Sequence, residues 1–268
     1  MQKTIFITGA SSGLGKSAAK LFQSQGWRVI ATMRNPEKES ELNKLKDVVV
    51  LPLDVTNLDQ IISITKKVTN LYSVDVVMNN AGYGLIGVLE SLNDDQIQRQ
   101  ITTNLLSVIR ISKAFTSHFR EKKSGMFINI TSTFGLIGFP TCSIYSATKF
   151  AIDGFSESMA YELAQFGIQV KIIAPGGMQT DFAVRSMELE KHDAYEELTA
   201  EVSKGYSAEQ IANYTKVEDI AQIVFEAATD HKNKLRYVAG NDAIGLYDQR
   251  LKEGTEVQFQ SIKTMFTF

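Results

Sequence analysis

The chain has 268 residues, 44% of them hydrophobic, and a formal net charge of -2. That supports one large core or two modest ones and leaves no basic footprint for nucleic acid or for a membrane surface. A single cysteine, Cys142, rules out an internal disulfide, and the scattered His118, His192 and His231 give no zinc framework, so no metal is expected.

No apolar run approaches membrane-spanning length. Met1-Gln2-Lys3 leads straight into a strand too short to be a signal peptide's apolar region, so a cytoplasmic protein is expected. Thr4-Ile5-Phe6-Ile7-Thr8 is a continuous apolar run, as for a strand buried on both faces. It meets Gly9-Ala10-Ser11-Ser12-Gly13-Leu14-Gly15, and Lys16 to Gln25 then reads as a helix. Strand, glycine turn and helix in that order make a phosphate cradle, because glycines let the backbone approach a pyrophosphate whose charge the helix N-terminus favours. The spacing is G-x-x-x-G-x-G rather than G-x-G-x-x-G, and a purely structural glycine turn is the alternative.

Trp27 to Thr32 is the second strand, and its tip is Met33-Arg34, with no acid until Glu37. In a dinucleotide fold this tip lies beside the adenosine ribose, where a carboxylate suits NAD and an arginine accommodates the 2′-phosphate of NADP. NADP(H) is therefore preferred over NAD(H), the other reading of Arg34 being a solvated loop residue. Val48 to Leu53 is a third strand closed by Asp54-Val55, and Thr56 with Asp59 resembles a capping pair for the next helix. Asp54 suits either a turn or the adenine amine. Val74 to Met78 is a fourth strand and runs into Asn79-Asn80-Ala81-Gly82.

A long helix is expected from about Asp94 to Lys122, with Asn104 inside it as an exposed residue or a buried amide needing partners. Met126 to Ile130 is the fifth strand and leads to Thr131-Ser132; a helix follows Pro140, and Val170 to Ala174 is the sixth strand, ended by Pro175-Gly176-Gly177 with Thr180 beyond. From Met178 to about Thr215 the alternation lapses into an apolar and charged mixture that includes Phe182, Val184, Met187, Leu189, Tyr195, Leu198 and Tyr206. A lid over the site is expected there. Thr215 to Glu218 reads as a capping box for a helix through Ala228, Arg236 to Ala239 is a last strand, and the tail Met265-Phe266-Thr267-Phe268 is apolar enough to pack on something.

The alternation predicts a single α/β domain over 1–268, a doubly wound parallel sheet with helices on both faces. Ligands of such sheets bind outside the carboxyl ends of the strands. Nearly every polar cluster above falls there. The exceptions are Asn104 and a pair on the helix after Pro140, Tyr145 and Lys149, which are four apart and so project from one face. An ammonium beside a phenol is expected to pull its pKa down from about 10; taken alone, the pair could be two partly exposed helix residues.

Taken together, these residues resemble the classical short-chain dehydrogenase/reductases, by motif from Thr8 to about Thr180 and by element order throughout. The turn from Thr8 to Gly15 matches the family's cofactor turn, Asp54 with Val55 its adenine contact, and Asn79-Asn80-Ala81-Gly82 its strand-stabilising tetrad. Asn104, Ser132, Tyr145 and Lys149 match its four catalytic positions, and Pro175-Gly176 with Thr180 its nicotinamide-side segment, with Met178 where valine or isoleucine is commoner. Phe139-Pro140, Met33-Arg34 and the long lid look like the branch holding 17β-hydroxysteroid and retinol dehydrogenases.

The resemblance implies a Rossmann fold and an oxidoreductase that interconverts a carbonyl and an alcohol with a nicotinamide cofactor. Tyr145 would be the acid or base and Ser132 a second donor to the substrate oxygen. Lys149 would prime the phenol and bind the nicotinamide ribose, and Asn104 would hold a water that links Lys149 to solvent. Tyr83, Leu85, Ile86, Val88, Phe134, Leu136, Phe139, Cys142 and Phe182 suggest an apolar wall for a small hydrophobic carbonyl or alcohol, each of them equally readable as core. A non-catalytic NADP-binding regulator on the same fold is the rival class. By the same analogy a homodimer or homotetramer is expected, paired through the Asp94–Lys122 and Tyr145 helices.

Overall fold

The computed structural model describes residues 2–266, apart from the side chains of Ala183 and Val184. Met1, the Val184 side chain of the expected lid, and Thr267 and Phe268 of the apolar tail lie outside the described residues.

In chain order the elements are β1 (Thr4–Thr8), α1 (Gly13–Ser24), β2 (Arg28–Met33), β3 (Val48–Pro52), α2 (Leu58–Leu71), β4 (Val76–Asn79) and β5 (Gly84–Ile86). Then come α3 (Asp94–Ile101), α4 (Ser107–Lys122), β6 (Gly125–Ile130), α5 (Ser143–Ala164), β7 (Ile168–Pro175), β8 (Met178–Gln179), α6 (Phe182–Arg185) and β9 (Met187–Leu189). The chain finishes with α7 (Glu196–Lys204), α8 (Ala208–Asn213), β10 (Thr215–Lys216), α9 (Val217–Thr229), β11 (Arg236–Ala239), α10 (Asn241–Glu253) and α11 (Thr255–Met265).

Seven strands form one sheet in the order β11-β7-β6-β4-β1-β2-β3, every neighbouring pair parallel. Parallel neighbours need crossovers, and the helices that supply them cover both faces, which is why β1 is buried at every position. One core layer packs Phe22, Trp27 and Phe225 with α1 and α9 on one side of the sheet. The other packs Phe6, Phe115, Phe119 and Phe127 with α2, α4 and α5. The order reverses between β1 and β4, and a crevice opens at their carboxyl ends, as expected of a switch point.

A buried polar chain ties the sheet to the helices behind the site. Asn79 Nδ2 donates to Asn129 Oδ1 at 2.8 Å and to Ser112 Oγ at 3.1 Å, and Asn129 Nδ2 donates to Ser156 Oγ at 2.8 Å. Four elements (β4, β6, α4 and α5) are thus held in one relative position.

Several local expectations are corrected. Asn57, not Thr56, caps α2 by accepting from the Gln60 N–H, while Thr56 turns back to Asp54. The long helix from Asp94 is interrupted by a π turn at Thr102–Leu106, which carries Asn104. No capping box starts α9: Thr215 and Lys216 are drawn into a short ladder with Met178 and Gln179, so extended pairing wins over the cap. The stretch from Met178 to Thr215 is not irregular but built of short helices and strands. Its β9 pairs with β5, and Glu188 there binds Arg99 of α3 at 2.6 Å and Gln96 at 2.9 Å. The chain beyond Gly240 forms two helices that no sequence pattern singled out. Among the described residues no helix is long and apolar enough to cross a membrane.

Candidate active site

One crevice of about 2260 Å³ runs along the carboxyl edge of the sheet, from Arg34 and Asp54 at one end to Tyr145, Pro175 and Phe266 at the other. Its centre is built by β1 and β4. Thr8 Oγ1 accepts from the backbone N–H of Asn80 at 3.0 Å and of Ala81 at 3.1 Å. Asn80 Nδ2 returns bonds to the carbonyls of Thr8 at 2.9 Å and Gly9 at 3.1 Å. Gly15 is pressed beneath this knot: a Cβ there would lie 2.3 Å from the Gly9 carbonyl oxygen and 2.5 Å from Asn80 Nδ2. It therefore packs below the crevice instead of lining it, while Gly9, Ser11, Ser12, Gly13 and Leu14 line it directly.

The glycine turn fits a pyrophosphate. Ser12 at the N-cap of α1 makes no side-chain capping bond. The first-turn N–H groups and the serine hydroxyls are thus available to an anion, in the field of the helix N-terminus. At the end beside β2, Arg34 is exposed on the crevice wall with Asp54 and Val55 nearby, and Glu37 does not reach the lining. Asp54 uses one carboxylate oxygen to accept from Thr56 N at 2.9 Å and Thr56 Oγ1 at 2.7 Å. It is a turn residue as well as a wall residue.

At the other end Ser132, Tyr145 and Lys149 come together as expected. Ser132 follows β6, and its Oγ accepts from Phe134 N at 3.2 Å and lies in hydrogen-bonding contact with the Tyr145 hydroxyl. Lys149 is buried, donates to the Ile130 carbonyl at 3.0 Å, and sits 5.7 Å from the centre of the Tyr145 ring. The electrostatics reverse the expected direction. Burial pushes the phenol of Tyr145 up to about 12, with the Ser132 bond pulling the other way and Cys142 adding to the rise. Burial also pulls the Lys149 ammonium down to about 8. Desolvation penalises both charged forms, and because the ammonium's bond goes to a carbonyl rather than to the phenol, it gives the phenolate no direct partner.

Two other expected site residues are buried and stand back from the crevice lining. Asn104 does not line the crevice. Its Oδ1 accepts from Tyr83 N at 3.0 Å and its Nδ2 donates to Tyr83 O at 2.8 Å. Each end of the amide thus makes one bond to the Tyr83 backbone, which fixes the side chain's orientation. Cys142 is fully buried at the N-cap of α5, in contact with Thr141 and Tyr206, and burial pushes its thiol up to about 12. It stands behind the crevice wall, in surroundings that disfavour its thiolate.

The remaining wall is largely aromatic. Phe134 and Phe139 stack with centroids 4.7 Å apart, Phe134 meets Tyr145 edge-on at 6.5 Å, and Phe266 meets Phe139 edge-on at 5.3 Å. Ile86, Tyr83, Phe182, Met187 and Tyr206 complete it, whereas Leu85, Val88 and Leu136 are buried core. Burial raises the Tyr206 phenol, which faces Cys142 and Tyr145 from the turn between α7 and α8. Pro175, Gly176, Met178 and Thr180 line the same end. So do Gly177, Tyr214, Asp242, Leu246 and Met265, which sequence reasoning missed. One signal could have found Asp242: it follows Gly240 at the carboxyl end of a strand, as the other polar clusters do.

Known proteins match the chain over most of its length. The family model for short chain dehydrogenase matches residues 3–191. Oxidoreductase BOA17 of Botryotinia fuckeliana is 36% identical over 252 residues, covering 91% of each chain. The crystal structure of a short-chain dehydrogenase from Streptomyces avermitilis superposes with a TM-score of 0.86 at 29% identity, over 98% of this chain and 97% of that one. The structure described as ElxO with NADP bound gives a TM-score of 0.74 at 28% identity, over 89% of this chain and 96% of that one.

Proposed function

The chain belongs to the short chain dehydrogenase family, an oxidoreductase acting on CH–OH or C=O groups with a nicotinamide cofactor, and from that premise we propose that it is an NADP(H)-dependent enzyme working on a hydrophobic ketone, aldehyde or alcohol in the cytoplasm. The observation that carries this reading is the meeting of Ser132, Tyr145 and Lys149 at one end of the crevice whose other end holds Arg34.

The nicotinamide, when bound, supplies or accepts the hydride. The residues of the chain supply orientation and protons. Tyr145, protonated at neutral pH because burial holds its phenol near 12, donates its proton to the carbonyl oxygen as negative charge develops there. Ser132 donates a second hydrogen bond to the same oxygen. Lys149 uses one of its donors on Ile130, leaving the others to a cofactor hydroxyl, and its charge favours the phenolate left behind by proton transfer. In the oxidative direction Tyr145 is the base.

Arg34 supports NADP(H) over NAD(H), since a guanidinium suits a 2′-phosphate and no carboxylate stands at the tip of β2 to hold a ribose hydroxyl. The ElxO structure, whose description names bound NADP, accords with this. The stacked Phe134 and Phe139, closed by Phe266, support a bulky apolar substrate held under the lid over residues 178–215. Exposed Ile101, Phe150 and Tyr161 on α3 and α5 support pairing into a homodimer or homotetramer through those helices.

The test is NADPH consumption, with NADH alongside, over a panel of apolar ketones and aldehydes graded in size. Turnover of none of them, or of small polar carbonyls alone, would sink the substrate reading.

A further inference from the structure

The carboxyl end of β7 leads into Gly176 and Gly177, which line the crevice opposite the glycine turn. This loop is held by a residue far along the chain, which lines the same end of the crevice. Asp242 lies in the first turn of α10, directly after β11. An acid there ordinarily serves its own helix's free N–H groups. Instead its Oδ2 accepts from the backbone N–H of Gly177 at 2.7 Å. Its other oxygen lies flush against Gly176, where a Cβ would come within 2.1 Å of it. Gly176 is thus required because the carboxylate occupies the space a side chain would need.

The opposite side of the loop is closed by Tyr214, whose ring a Cβ on Gly177 would meet at 2.4 Å. Tyr214 in turn donates its hydroxyl to the Gly205 carbonyl at 2.9 Å, next to Tyr206 of the lid. The peptide between Gly176 and Gly177 is therefore clasped between Asp242 and Tyr214, and its orientation is not left to two glycines with little preference of their own.

From this clasp we propose that Asp242 is a positioning residue, which fixes the Gly176–Gly177 peptide so that the loop presents a set backbone face to the nicotinamide half of the cofactor. The inference rests on the cofactor reading above. Asp242 touches the loop and acts through it, and it lies beyond the residues matched by the family model.

The experiment is a binding measurement on the full chain, without turnover. NADPH is titrated by its own fluorescence, and the adenosine half alone (2′-phospho-AMP) by calorimetry, against wild type, Asp242→Ala and Asp242→Asn. Losing a charge-assisted bond to a loop that contacts one half of the ligand is expected to weaken NADPH about tenfold in Asp242→Ala and to leave 2′-phospho-AMP unchanged. Asp242→Asn, whose amide oxygen can still accept from Gly177, is expected to recover most of the NADPH affinity. An Ala variant that binds NADPH like wild type overturns the inference. So does equal weakening of both ligands, which marks a general loss of fold, or an Asn variant as weak as Ala, which marks an effect of charge alone. Wild-type protein that binds neither NADPH nor NADH would instead overturn the cofactor reading on which the inference rests.

Discussion

Lys149 donates from its ammonium to the carbonyl of Ile130 at 3.0 Å and stands 5.7 Å from the ring centre of Tyr145, at the same end of the crevice. Two ionisable groups one helical turn apart are thereby both held in their neutral-favouring direction, the phenol up to about 12 and the ammonium down to about 8. At neutral pH the phenol is therefore protonated and the ammonium still largely charged, each less readily ionised than it would be in water.

That arrangement has a consequence for stability. The lysine's folded value of about 8 lies below its ordinary 10.5, so the unfolded chain holds this proton more tightly than the fold does. Below about pH 8 the buried charge costs stability, to a ceiling of about 3 kcal/mol. That cost fades as pH climbs from 8 to 10.5. Lys149→Met should therefore melt higher than expected from its lost bond to Ile130, with its advantage over wild type greatest near pH 7 and shrinking by pH 10. Thermal melts of both proteins across that range check it, and a gap that does not change with pH would contradict it.

Tyr145→Phe keeps the ring that packs edge-on against Phe134 at 6.5 Å and removes only the hydroxyl. Turnover should fall by about two to four orders of magnitude, the usual worth of a positioned acid, while the dissociation constant for NADPH stays near the wild-type value. Steady-state rates and a fluorescence titration on the same preparation separate the two effects.

Arg34 follows the tip of β2 and is exposed on the crevice wall. Arg34→Ala should weaken NADPH by about ten- to a hundredfold, the range for a lost charge-assisted bond, and change NADH little. Equal losses for the two cofactors in paired titrations would remove Arg34 from the phosphate site.

Phe139 stands between Phe134 and Phe266, stacked on one and edge-on to the other. Phe139→Ala should raise KM for bulky apolar substrates by about tenfold, the sum of lost ring contact and lost burial. Small carbonyls should keep their KM. A uniform change across the size series would place the bulky group elsewhere.

Gly15→Ala tests the floor of the crevice. The added methyl would fall 2.3 Å from the Gly9 carbonyl oxygen and 2.5 Å from Asn80 Nδ2, so the knot joining β1 to β4 must open. A loss of about 1–3 kcal/mol in denaturant unfolding is expected, with cofactor affinity falling alongside. An unchanged midpoint would mean that the turn has slack the geometry does not show.

Reading the chain alone determined the strand order's ingredients and the short-range parts of the site. The apolar run of β1, the glycine turn, the four-residue step from Tyr145 to Lys149 and the arginine after β2 are each written in consecutive residues, and their chemistry follows from spacing. Tertiary structure decided whatever depends on what surrounds a group. Only packing shows that Asn104 spends its amide on Tyr83 and that Cys142 sits behind the wall. Only packing, too, turns the phenol's pKa upward, because desolvation is summed over atoms from the whole chain. Asp242 reaches Gly177 across 65 positions; no local pattern marks a contact made when β11 comes to lie beside β7. Residues near in sequence constrain one another through backbone geometry, and those far apart do so only once the sheet has brought their ends to one edge.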